Sequence, residues 1–289
     1  MRGAYPDQAG HVERNGVSLG YEVFGQGDPA ILLLPAWTIV HSRFWKMQVP
    51  YLSRRNRVIT YDGPGNGRSD RVTDPSRYSS DSYADDAAAV LDACGVERAV
   101  VVALSLGAEY ATRLTALYPS RVIGLVLIAS ALPLLPPTGV ESDIHDDMFG
   151  PYPDNPHGWD KYNVAYWHAD FPDFAQYFFE QAFSEAHSTK PREDAVGWAL
   201  EAGPSILEAS VRRPPFELTG PEIFADVSCP TLVIHGTADR IDSHGVGREA
   251  ARLSGGTFVS MVGSGHIPVV RDPIRVNLLL RDFVDRLST

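Results

Sequence analysis

Three side-chain types scattered over the chain could together break an acyl bond: Ser105, Asp239 and His266. A serine hydroxyl is a weak nucleophile and needs a base within hydrogen-bond reach. The base needs a carboxylate to hold its tautomer and stabilise its charged form. Each of the three residues follows an apolar run that reads as a buried strand. Ser105 ends Ala99-Val-Val-Val-Ala-Leu104 and is followed directly by a helix pattern opening at Gly107. A strand that turns into a helix at one residue makes a sharp elbow, with small flanking residues, here Ala103 and Gly107, avoiding clashes. The new helix N-terminus turns free N–H groups toward charge developing near Ser105. Asp239 stands in the turn after Thr231–Ile234, and His266 in a glycine-rich loop after Thr257–Val262.

These residues meet only if their strands run parallel, so that the following loops share one edge of a sheet. The rest of the chain supplies such a sheet. Asn15-Gly16 separates two alternating runs and predicts a hairpin. Ala30–Leu34, Arg57–Asp62, Ala99–Ala103 and Val122–Ile128 are apolar runs of the kind covered on both faces. Helices are expected from Ser42, as N-cap, through about Arg54 with a kink at Pro50. Others are expected at Ser82–Cys94 with Gly95 as stop, near Gly247–Leu253, and from Asp272-Pro273 onward. Alternating strands and helices imply right-handed crossovers and a mostly parallel, doubly covered sheet. The segment from about Ala131 to Pro221 lacks any buried-strand pattern. Pro133, Pro136 and Pro137 open it, and Pro214 and Pro215 stand near its close. Residues 140–200 hold 13 of the 29 aromatic residues, so the segment is too apolar for a disordered linker. We read residues 1–130 and 222–289 as a core domain and 131–221 as a helical cap over the carboxyl ends of the strands, where ligands bind in open α/β sheets.

Composition excludes several classes. The chain has 289 residues, 44% hydrophobic and 21% charged, which is ordinary for a globular enzyme. Its net charge of −11 argues against nucleic acid and anionic membrane as partners. Cys94 and Cys229 lie in apolar contexts and read as reduced core residues. No signal-peptide pattern or membrane-length apolar run is present, so a cytoplasmic protein is expected. The histidines show no metal-ligand spacing, and no metal or organic cofactor is expected. The partner is expected to be a small-molecule substrate, the chain itself a monomer or homodimer.

Beyond these patterns the chain resembles the α/β-hydrolase superfamily, in its cap-bearing esterase, lactonase and haloperoxidase-like group. The resemblance runs nearly end to end and is weakest in the cap. Its carriers are Gly-Thr-Ala-Asp239, Gly-Ser-Gly-His266, and Asp62-Gly-Pro-Gly-Asn-Gly-Arg-Ser69, with the chain order Ser105, Asp239, His266. Two places depart from the family pattern. The elbow carries Ala103 where glycine is usual, and the first oxyanion loop reads Pro35-Ala36-Trp37 where His-Gly is usual. The resemblance implies Ser105 as nucleophile, His266 as base and Asp239 as its orienter, preferred over Asp242. It also implies the N–H groups of Trp37 and Leu106 as the oxyanion hole. His235 is read as structural, and Asp62 as the organiser of the Gly63–Ser69 loop. His41, Tyr162, Tyr166 and Trp167 are candidates for the substrate pocket. The expected reaction is cleavage of an ester, lactone or related acyl bond of an apolar small molecule. Alternatives on the same framework are a C–C bond hydrolase, an acyltransferase, or an inactive ligand-binding module.

Overall fold

The computed structural model describes residues 3–136 and 148–287. Pro137 and the histidine at position 145 therefore lie outside the described residues. Eight strands form one sheet in the order β1-β2-β4-β3-β5-β6-β7-β8. They are β1 Gln8–Arg14, β2 Val17–Phe24, β3 Ala30–Leu33, β4 Val58–Tyr61, β5 Ala99–Leu104, β6 Val122–Ile128, β7 Thr231–Gly236 and β8 Thr257–Met261. β1 pairs antiparallel with β2, and β2 with β4. Every other pairing is parallel. Asn15 and Gly16 close the first hairpin with φ of 50° and 76°, the left-handed pair that a two-residue turn between twisted strands requires.

The helices are α1 Val49–Leu52, α2 Ser80–Ala93, α3 Gly107–Leu117, α4 Val164–Ala182, α5 Thr189–Ala202, α6 Pro204–Val211, α7 His244–Ser254, α8 Pro268–Arg271 and α9 Pro273–Leu287. Every residue of β3 and β5 is buried. Their alternate side chains feed two cores. Leu32, Val101 and Ala103 face α2 and α3, while Ile31, Leu33, Val100 and Val102 face the side covered by α9. Each of these Val, Leu and Ile side chains contributes about 1.5–3 kcal/mol on full burial, which fixes the register that carries the strand ends.

The expected helix from Ser42 to about Arg54 is instead two short pieces. Ser42–Met47 is a 3₁₀-helix whose N-cap is His41, its Nδ1 accepting from the Arg43 N–H at 3.2 Å. α1 follows, with Pro50 in its first turn, where a missing N–H costs nothing. Cys94 and Cys229 are free, the first buried and the second half-buried.

Among the described residues of 131–221 there is no strand. α4 there is two helices joined at a kink. Asp170 has non-helical φ and ψ of −146° and 71°, and its Oδ1 caps the second piece by accepting the Asp173 N–H at 3.1 Å. Pro172 in the first turn of that piece has no N–H to leave unpaired. A third apolar core forms inside the segment around Tyr166, Trp167, Phe171, Phe174 and Phe178.

Candidate active site

The elbow is as tight as its sequence requires. Ser105 has φ of 54°, a left-handed conformation that costs a non-glycine residue about 1–3 kcal/mol and persists only where its surroundings impose it. Three backbone bonds impose it here. The Ser105 N–H donates to Ile128 O at 3.0 Å, and its carbonyl accepts from Ala108 at 2.9 Å and Ala131 at 3.2 Å. Gly107 is needed for a close approach, since a Cβ there would lie 2.6 Å from the Pro35 carbonyl oxygen. That contact presses the loop after β3 against the start of α3. The same added Cβ would be 3.6 Å from the Ala103 side chain, an ordinary contact, so alanine fits where the family usually has glycine.

Ser105, His266 and Asp239 form one hydrogen-bonded line. His266 Nε2 is 3.0 Å from Ser105 Oγ, and His266 Nδ1 is 2.9 Å from Asp239 Oδ2. With Nδ1–H donating to a carboxylate, Nε2 presents its lone pair to the serine hydroxyl. Asp242, the rival carboxylate, has its Oδ2 3.7 Å from His266 Nδ1, beyond hydrogen-bond range.

Asp239 is held at four points. Its Oδ1 accepts from the N–H groups of Ile241 at 2.8 Å and Asp242 at 3.1 Å. Its Oδ2 accepts from His266 and also from His235 Nε2 at 3.1 Å. Burial alone would raise this carboxyl, but the field of His266 and the bonds from His235 and His266 outweigh it and hold it well below the usual carboxylate range. His235 is thus the fully buried second donor to Asp239, reached from β7 one residue before its end. Its Nδ1 has no partner among the described residues and lies against Gly247, where a Cβ would come within 2.5 Å. Only the four-residue spacing of His235 and Asp239 in the sequence hints at this pairing.

His266 is itself buried. Burial disfavours its charged form, yet the carboxylates of Asp239, Asp242 and Glu185 together push its pKa above the ordinary 6.5. Glu185 comes from the segment between β6 and β7, and its Oε1 accepts the Gly265 N–H at 2.7 Å. Arg271 of α8 adds a bond from Nη1 to His187 O at 3.0 Å and one from Nη2 to Ala186 O at 2.5 Å. The loop that carries His266 and the helix after it are therefore tied to the connection between α4 and α5.

Ser105 and His266 open into a cavity of about 550 Å³. Trp37 and Leu106 line it, so both expected oxyanion residues stand with Ser105 at one surface. Trp37 also packs on Phe178 of α4, ring centroids 4.5 Å apart, and folds a short turn in which the Val40 N–H donates to Trp37 O at 3.0 Å. Of the four expected pocket residues only Tyr162 lines the cavity. His41 is buried as a helix cap beneath Trp198, centroids 4.8 Å apart. Burial lowers its pKa to about 4, so the ring is neutral near pH 7. Tyr166 gives its hydroxyl to Asp173 at 2.6 Å, and Trp167 gives its indole N–H to Lys161 O at 3.1 Å. Both belong to the inserted segment's own core, so their pocket assignment is corrected. The cavity wall is instead supplied by residues such as Phe179, Phe183, Trp198, Val270, Glu109 and Arg213. Asp62 accepts the N–H groups of Ser42 at 2.8 Å and Arg68 at 2.9 Å, and so organises its loop away from the chemistry.

The family model described as the alpha/beta hydrolase fold matches residues 29–273. The chain belongs to this family. An AB hydrolase superfamily protein of Bacillus subtilis is 27% identical over 283 residues, covering 92% of this chain and 95% of the relative. A bifunctional esterase/perhydrolase of Acinetobacter calcoaceticus is 26% identical over 266 residues, covering 88% and 91%. A solved N-acyl homoserine lactone degrading enzyme superposes with a TM-score of 0.74 at 25% identity, over 95% of this chain and 100% of that one. This α/β-hydrolase is an enzyme of the hydrolase class. Among its described residues no helix is long and apolar enough to cross a membrane.

Proposed function

We propose that this α/β-hydrolase is a serine carboxylic ester hydrolase acting on esters or lactones of small, largely apolar molecules. The observation that carries the reading is the line from Ser105 through His266 to Asp239, opening on the cavity. Names among its relatives and structural neighbours, an esterase/perhydrolase and an acyl-lactone degrading enzyme, support the substrate range. Ser105 Oγ attacks the carbonyl carbon while His266 Nε2 takes the hydroxyl proton. Asp239 keeps the imidazole in the required tautomer and stabilises the imidazolium. The oxyanion is received by the N–H groups of Leu106 and Trp37, a pair worth about 10²–10³ in rate for each donor lost. Collapse of the tetrahedral intermediate expels the alcohol oxygen, which takes its proton from His266. Water, deprotonated by His266, then attacks the acyl-serine and releases the acid. Residues 131–221 act as a cap that shapes the acyl and alcohol subsites.

The test is turnover of p-nitrophenyl butyrate together with labelling by a fluorophosphonate probe. Ser105→Ala should lower kcat by at least about 10³-fold and abolish the labelled peptide. Retained turnover, or a labelled peptide that lacks residue 105, overturns the reading.

A further inference from the structure

We propose that the cavity selects substrates carrying a second, uncharged hydrogen-bond acceptor, such as an amide or ketone carbonyl, and that Arg213 and the Tyr162 hydroxyl bind it. The inference names the substrate class for the site proposed above and rests on that reading only for the placement of the scissile bond. Arg213 follows α6, and its side chain is 16% exposed. Its Nη1 pairs with Glu109 Oε2 at 2.7 Å and donates to Ser80 Oγ at 3.0 Å. Ser80 Oγ in turn donates to Glu109 Oε2 at 2.9 Å. A guanidinium has five N–H donors, and these contacts use only Nη1. Nε and Nη2 make no hydrogen bond among the described residues, although Arg213 lines the cavity. Tyr162 lines it too. Its ring is fixed edge-on against Trp167 and Phe174, centroids 5.2 and 5.6 Å away, while its hydroxyl has no hydrogen-bond partner among the described residues.

Two kinds of donor thus line one largely apolar cavity with no hydrogen-bond partner of their own among the described residues. Burial pushes the Tyr162 phenol well above its ordinary pKa, and both Arg213 and Asp242 act on it at range, Arg213 opposing the shift and Asp242 adding to it. The phenol therefore keeps its proton and donates. The chemistry that completes such donors is an oxygen acceptor on the substrate. The acceptor is uncharged, because Glu109 already offsets the Arg213 charge and Asp242 places another carboxylate on the same wall. A substrate carboxylate would meet like charge. Its position follows from Glu109, which stands in the first turn of α3, four residues past Ser105. The second acceptor therefore stands a few bonds from the scissile carbonyl.

Three methyl esters of matched length separate the possibilities: methyl heptanoate, methyl N-butanoylglycinate and monomethyl pimelate. The wild type should hydrolyse the amide ester with a kcat/KM at least about tenfold above methyl heptanoate, the worth of one good hydrogen bond, with the pimelate lowest. Tyr162→Phe, and the charge-balanced pair Glu109→Gln with Arg213→Met, should each bring the amide-to-alkyl ratio toward one. Equal rates in the wild type, a preference for the pimelate, or a ratio that survives both variants overturns the proposal. Calorimetric binding of the same esters to Ser105→Ala should give the same ranking in Kd. That measurement decides the subsite even if no ester is turned over, an outcome that would refute the hydrolase reading instead.

Discussion

Replacing Asp242 by asparagine should move the acidic limb of the kcat/KM profile to lower pH. His266 must be unprotonated to take the Ser105 proton, so the rate falls as pH drops through the His266 pKa. Three carboxylates hold that pKa above 6.5 against burial, and the wild-type limb should therefore have its midpoint above 6.5. Asp242 Oδ2 lies 3.7 Å from His266 Nδ1. Unit charges at that separation attract by about 1 kcal/mol in bulk water and about 4.5 kcal/mol at an effective dielectric of 20. At 1.36 kcal/mol per pKa unit this spans roughly 0.8 to 3 units. Asp242 borders the cavity, where water screens it in the free enzyme, so the lower end applies and the midpoint should fall by about one unit. The assay is kcat/KM for p-nitrophenyl butyrate across the acidic and neutral range, compared with the alkaline plateau. An unmoved midpoint, or one displaced upward, would refute the claim that Asp242 acts on the base through its charge.

Other perturbations test other parts of the site. His235→Leu removes one donor from Asp239, leaving a more basic carboxylate; the acidic limb should shift upward, while His235→Gln, which keeps an N–H, should shift it less. Gly107→Ala forces a Cβ to 2.6 Å from the Pro35 carbonyl, so thermal melting should show a loss of about 1–3 kcal/mol and kcat should fall as the Trp37 loop is displaced. Asp239 should make stability acid-sensitive. Its folded pKa lies below the ordinary 3.8, so its contribution is full above that value and is lost as pH falls through the folded one, which pH-dependent melts of the wild type and Asp239→Asn should separate.

Much of this architecture was legible because its signals are local. The Asn15-Gly16 turn, the β-branched run before Ser105 and the Asp272-Pro273 helix start each depend on neighbours in the chain. Ser105, Asp239 and His266 were legible as strand-end residues, and parallel pairing then delivers their loops to one edge. The inserted segment was less legible. Aromatic character marks Tyr166 and Trp167 for burial, but not whether the substrate or another helix covers them. His41 follows a strand end as a pocket residue would, yet its ring serves as a cap two residues before the N–H it accepts. Ser80 and Glu109 lie on α2 and α3 and Arg213 follows α6, and only the packing of the segment between β6 and β7 on α2 and α3 brings them together. Glu185 likewise gains its role from contact with Gly265, 80 positions away.

The Glu185 contact also makes one amide a reporter. The Gly265 N–H belongs to the loop that carries His266, but its acceptor, Glu185, belongs to the segment between β6 and β7. Protection of this amide from solvent exchange should therefore report whether that segment stays packed on the loop, separately from melting of the sheet. Its exchange rate, set against those of the β5 and β6 amides, should read the free energy of breaking that contact. Breaking that contact would leave the backbone beside His266 without its tether to Glu185.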